Sequence, residues 1–212
     1  MSKSCSEILR KALGDSDAAL DLVKNYLATA TGRFFETYGL GETSPNRITS
    51  ADLVAVTFLS MDVSPRTRSG FLPAHAIELA EREGQISRLL ESIPADLELH
   101  CVPPDRYDEL LGPDSAASRL FSLLTDILGE GRSVARHKLL ARKRPGLIPV
   151  SDSKTRQELW GGGEWWRPWW EALTEDPTIV EQLGDIRQKA GTPAAHLSIL
   201  RTADIIIWSP DD

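Results

Sequence analysis

Ile127-Leu128-Gly129-Glu130-Gly131-Arg132-Ser133-Val134-Ala135 decides the fold. Upstream, Leu120, Leu123, Leu124, Ile127 and Leu128 recur at i, i+3, i+4, i+7 and i+8 behind Ser115, so the spacing predicts a capped amphipathic helix that Gly129 stops. Downstream, Val134 and Ala141 share one face and Ala135 and Leu139 another, which predicts a central helix packed on more than one side. The two glycines between them make a hairpin whose backbone N–H groups can face a phosphate.

Helical period governs the other patterned stretches, and period-two runs of β-branched residues are scarce. Asp17 to Leu27 places Leu20, Val23 and Leu27 on one face behind Ser16 as N-cap. Thr49-Ser50-Ala51-Asp52 has capping-box spacing and leads into Leu53 to Leu59, apolar all round, which reads as a buried helix with a buried strand as the rival. From Ile77 to Ile93, Leu79, Ile86, Leu90 and Ile93 repeat at helical turns until Pro94. Thr192-Pro193 reads as N-cap and N1 of a last helix through Leu197, Leu200 and Ile207 to Trp208. Gly39 to Arg47 and Pro103 to Pro113 read as loops. The expected fold is all-α, one helical domain over residues 1–212.

The chain has 212 residues with 41% hydrophobic content, enough for a single cored domain without disulfides. Cys5 and Cys101 lie far apart, and the four histidines show no metal spacing, so neither zinc nor an iron–sulfur cluster nor another cofactor is expected. With no long apolar run and charges throughout residues 1–13, the chain reads as soluble and cytoplasmic, with no membrane partner. Its net charge of −7 opposes general attraction to nucleic acid. Against that, Arg132, Arg136, Lys138, Arg142, Lys143 and Arg144 occupy a stretch of thirteen positions without an acidic residue. No HExxH, GxSxG or phosphate-loop motif occurs.

Pro149-Val150-Ser151-Asp152-Ser153-Lys154-Thr155-Arg156 follows the basic helix, and with the hairpin it resembles the core of the helix-hairpin-helix DNA glycosylase superfamily over residues 127–158. In that superfamily the hairpin reads roughly Leu-Pro-Gly-x-Gly-x-x-x-Ala, with an aspartate about twenty residues beyond the second glycine; Gly129, Gly131, Ala135 and Asp152 match. Leu128 replaces the usual proline and Lys154 the usual histidine. The resemblance implies a two-lobed helical domain, a helix-hairpin-helix core over 115–158, and a site at the mouth of the cleft between lobes. It implies DNA as partner, phosphate contacts from Gly129, Gly131, Arg132, Ser133 and Arg136, and Asp152 as the catalytic carboxylate that supports a cationic sugar while an N-glycosidic bond breaks. Members that also cut the strand use a lysine where Ser133 stands, so the implied activity is that of a monofunctional glycosylase. Leu139 to Asp152, Leu-Leu-Ala-Arg-Lys-Arg-Pro-Gly-Leu-Ile-Pro-Val-Ser-Asp, also resembles a phrase found in an uncharacterised bacterial protein family.

Each feature has a second reading. The glycines serve as a helix stop and a turn, Asp152 with Ser153 as an N-cap worth about 1 kcal/mol, and the basic helix as a solvated face. Trp165, Trp166, Trp169 and Trp170 either line a pocket or platform for a base or ligand, or pack as core. Two functional alternatives follow: a helix-hairpin-helix binding module without chemistry, and an enzyme on the same scaffold acting on a small molecule within the tryptophan segment.

Overall fold

A computed structural model of the chain describes residues 4–39, 41, 44–59, 73–150 and 166–208. These form helices and turns with no strand, and none of their helices is long and apolar enough to cross a membrane. In chain order they are α1 (Cys5–Leu13), α2 (Ser16–Thr29), α3 (Phe34–Thr37), α4 (Ser50–Thr57), α5 (Pro73–Glu81), α6 (Glu83–Glu91), α7 (Tyr107–Leu111), α8 (Ala116–Leu128), α9 (Ser133–Lys143), α10 (Arg167–Glu175), α11 (Pro177–Lys189) and α12 (Ile199–Trp208). The chain divides into two compact units: residues 1–30, 97–102 and 145–212 form the first, and residues 31–96 and 103–144 the second. The division between Arg144 and Pro145 falls inside the 115–158 stretch read as one core.

In the first unit, α1, α2, α10, α11 and α12 pack together with a 3-10 turn at Leu99–Cys101. Local chemistry sets the helix starts. Ser4 and Glu7 complete a reciprocal capping box on α1, and Asp15 accepts from the amides of Asp17 and Ala18 at α2. The cap of α2 is therefore Asp15 and not Ser16, and its buried face is Ala19, Val23 and Tyr26. Thr192–Ala194 makes only a 3-10 turn; the last helix starts later, where the Ser198 hydroxyl accepts from the Arg201 amide. Arg201, although buried, donates to the Tyr26 hydroxyl at 2.7 Å. Asp204 accepts the Val150 amide at 2.9 Å.

The second unit is built around α8 and α9. Ser115 caps α8 through the Ser118 amide at 3.1 Å, and Leu120, Leu124, Ile127 and Leu128 are buried. Helices α5, α6 and α7 pack on α8, while α4 packs on α9. The stretch from Ile77 to Ile93 is two helices broken at Arg82, and Ile77 is 61% exposed. Thr49 and Asp52 form the expected capping box, and α4 is a helix, but Val54 on its outer face is exposed. Part of the second loop is ordered as well, because a 3-10 turn at Pro104–Arg106 runs into α7.

The basic run is the unit's internal scaffold. Arg136, Lys138, Lys143 and Arg144 are buried, and the Arg142 side chain is nearly so. Their donors reach backbone carbonyls where other helices end. Lys138 donates to Leu59 beyond α4, and Arg142 to Phe35 and Tyr38 at the end of α3. Arg144 donates to Leu90 and Ile93 at the end of α6. Helix C-termini carry unsatisfied carbonyls and partial negative charge, so each cation both satisfies acceptors and opposes a dipole. Asp52, wholly buried, also accepts from Lys143 at 2.7 Å and from Arg142 at 3.4 Å. Burial lowers the Lys143 pKa, and the hydrogen bond and charge of Asp52 oppose that shift.

Removing one member of a buried ion pair leaves the other charge unpaired, at about 3–5 kcal/mol. Asp52→Ala is therefore expected to lose about that much stability in urea unfolding, and Lys143→Met in the same background to restore part of it. A loss below about 1 kcal/mol for Asp52→Ala counters this account of the unit.

Candidate functional site

The hairpin begins where α8 stops. Gly129 has φ 88° and ψ 153°, a conformation that side chains rarely adopt, and its amide closes the helix on Thr125 at 2.8 Å. A 3-10 turn at Glu130–Arg132 follows, held by the Arg132 amide to the Gly129 carbonyl at 3.1 Å, and α9 starts at Ser133. Gly131 differs from Gly129. Its φ is not positive and a Cβ there would meet open space, so neither backbone conformation nor packing requires glycine.

Arg132 stands before the first turn of α9 without a side-chain cap bond to it. Its guanidinium donates instead to the Leu128 carbonyl at 3.0 Å, closing the end of α8, and the side chain remains half-buried. Ser133 is half-buried, and its carbonyl lies 2.9 Å from His137 Nδ1. Within electrostatic reach, His75 on α5 has its pKa lowered by burial first and by Arg132 second, with Glu78 opposing. Glu130 is exposed in the turn.

The structure corrects the expectation for Arg136. It is only 5% exposed, donates to the Thr125 hydroxyl and to the Glu130 carbonyl at 3.2 Å, and stacks 4.7 Å over the Phe121 ring. It braces the hairpin from inside. The solvated-face reading of the basic helix is overturned for the same reason, since α9 turns its cations into the unit. Gly129, Gly131, Arg132 and Ser133 are brought together at the turn; Asp152 and Trp165 lie outside the described residues.

The other tryptophans belong to the first unit. Trp166 and Trp169 are buried, and half-buried Trp170 donates its indole N–H to the Val102 carbonyl at 2.9 Å. Burial of two rings leaves no exposed platform at those positions and supports the core reading. Burial, with Asp204 nearby, pushes the Cys5 thiol up to about 12, which disfavours its nucleophilic thiolate, and Cys101 is an exposed free thiol. Among the described residues no His, Cys, Asp and Glu group has the arrangement of a metal site.

Helices α8 and α9 pack against each other across the 3-10 turn at Glu130–Arg132. The chain belongs to DUF6308, a family of unknown function. The match covers residues 19–211 and so spans both units. No curated protein and no solved structure matches the chain.

Sequence reasoning missed Asp52 as a charge partner, since its capping-box position explained it locally. In the first unit Arg187 acts electrostatically on Glu98 and His100, a grouping that carries no motif and draws on separate segments of the chain.

The two hairpin glycines should respond differently to substitution. Gly129→Ala is expected to cost about 1–3 kcal/mol through its positive φ, and Gly131→Ala no more than about 0.5 kcal/mol. Arg136→Ala should cost about 1–3 kcal/mol by leaving buried acceptors without their donor. Thermal and urea unfolding of the three variants checks this, and an Arg136→Ala protein as stable as wild type would remove its bracing role.

Proposed function

We propose that the chain binds a nucleic-acid backbone phosphate at the Gly129–Ser133 hairpin, in the manner of the glycosylase hairpins it resembles. The observation that carries this reading is Gly131: the fold does not require glycine there, yet the position is open beside the first turn of an eleven-residue helix that its N-cap residue leaves without a side-chain cap. First-turn amides and the positive end of the helix dipole favour an anion, and a missing side chain lets one approach the backbone closely. Half-buried Arg132 adds a cation at the same turn. In the catalytic form of the proposal, Asp152 supports the developing positive charge on the sugar and orients water as the base leaves.

The burial of the other α9 cations favours a second reading, a binding module without chemistry. A glycosylase must hold a strained nucleotide, and DNA-binding proteins gain most of that grip from cations that displace counterions. Here five of the six basic residues are turned inward, which leaves Arg132 as the hairpin's solvent-facing contributor among them.

Both readings predict binding of modest affinity with shallow salt dependence. Each neutralised phosphate contributes a slope of about 0.9 in log K against log salt, so a slope near one to two is expected. Gly131→Asp, which places a carboxylate by the α9 N-terminus, should weaken DNA binding at least about tenfold without loss of thermal stability. Unchanged affinity in that variant, or no DNA binding at low salt, would sink the proposal. Asp152→Asn separates the two forms: if catalytic, base release falls by orders of magnitude at unchanged DNA affinity, whereas a binding module releases no base in either protein.

A further inference from the structure

The first unit contains a group of ionisable side chains that neither the hairpin nor the helix caps use. Glu98 and His100 flank buried Leu99, whose amide donates to the Gly146 carbonyl at 2.8 Å. Gly146 lies against this turn so closely that a Cβ would come within 2.9 Å of the Leu97 carbonyl oxygen and 3.3 Å of the Glu98 carboxyl carbon. Absence of a side chain at 146 therefore makes room for the Glu98 carboxyl. That carboxyl accepts the amide of Ile199, the first residue of α12.

Arg187 on α11 acts electrostatically on both Glu98 and His100. One of its nitrogens donates to the Leu197 carbonyl at 3.0 Å, and it makes no ion pair among the described residues. Two polar atoms here are buried without a hydrogen-bond partner: Glu98 Oε2 and His100 Nδ1. Such orphaned atoms are uncommon in folded proteins and call for an explanation. Both residues nevertheless keep part of their surface in solvent.

We propose that Glu98, His100 and Arg187 form a binding site for a small oxyanion, a carboxylate or a phosphate-like group, in the first unit. One such ligand partners both orphaned atoms, Glu98 Oε2 and His100 Nδ1. Its oxygens accept from the guanidinium nitrogens of Arg187 not bound to Leu197 and from His100 Nδ1–H, and a protonated Glu98 donates its O–H to a third oxygen. The proton on Glu98 comes from solvent.

The electrostatics agree with this assignment. Burial raises the Glu98 pKa, against the opposing effects of Arg187 and the Ile199 amide. Burial also lowers the His100 pKa, and Arg187 lowers it further. Helix α10, packed on the turn, carries Arg167, Glu171 and Glu175, and the charge acting on both site residues is that of Arg187. A bound anion offsets the field of Arg187 at His100 and favours the acid form of Glu98. Both shifts stabilise protonated states, so binding takes up protons and tightens as pH falls.

Sulfate is a suitable probe because it does not titrate between pH 5.5 and 8, and acetate tests the carboxylate arm. Calorimetry on the full chain should show saturable sulfate binding on the order of tenfold tighter at pH 5.5 than at pH 8. Arg187→Gln should abolish it, and Glu98→Gln should retain binding with reduced proton uptake. Gly131→Asp should leave it intact, which separates this site from the hairpin and lets either proposal fail alone. Tighter binding of acetate identifies a carboxylate ligand, and tighter binding of sulfate a phosphate-like one. In the wild-type protein, NMR titration of the His100 ring should show its pKa rising with sulfate, which tests the site even if Arg187→Gln does not fold. No saturable binding of either anion, pH-independent binding, or loss of binding in Gly131→Asp overturns the proposal.

Discussion

The second unit depends on cations meeting carbonyls. An isolated buried charge costs several kcal/mol, and α9 with its flanking residue brings several into one small core. What makes this tolerable is the geometry of helix termini, each of which leaves carbonyls without intrahelical partners. Helices α3, α4, α6 and α8 end around α9 or its hairpin, and long side chains reach back to those ends. Asp52 supplies a formal negative charge as well as capping α4. Position, charge and hydrogen bonding of the surrounding helices are thus fixed by one element.

Features set by neighbours in sequence were legible before the structure. Ser115 as cap, Gly129 as stop and Thr49 with Asp52 as a capping box all follow from contacts within a few residues. Where tertiary surroundings decide, the sequence was less informative. Periodicity joined Ile77 to Ile93 into one helix because the apolar spacing survives the break at Arg82. A cap-like Thr192-Pro193 pair opened a short turn because the Ser198 hydroxyl, tied to the Pro145 carbonyl, provides the later start.

The same distinction runs through the candidate sites. Gly129 and Gly131 announce a hairpin by spacing alone, but spacing says nothing about which way Arg136 turns. Charge on a helix reads as surface by default, and only the presence of helix ends around α9 makes the interior acceptable to it. Glu98, His100 and Arg187 were invisible because their grouping comes from the packing of a six-residue return of the chain, 97–102, among helices that precede and follow it by long stretches.

Arg144 shows what this architecture asks of its residues. Its guanidinium serves the carbonyls of Ile93, Leu90, Pro45 and Lys143 and the side-chain oxygen of Asn46, five acceptors matched to five N–H donors. A lysine there carries the same charge but three donors, and cannot fan them in one plane. The consecutive Arg142, Lys143 and Arg144 therefore encode hydrogen-bond valence and direction at three different addresses, not an interchangeable basic patch. Across the family, arginine and lysine should exchange freely at half-exposed 132 and hardly at all at 144, so that the grammar of this segment is one of donor number and not of charge.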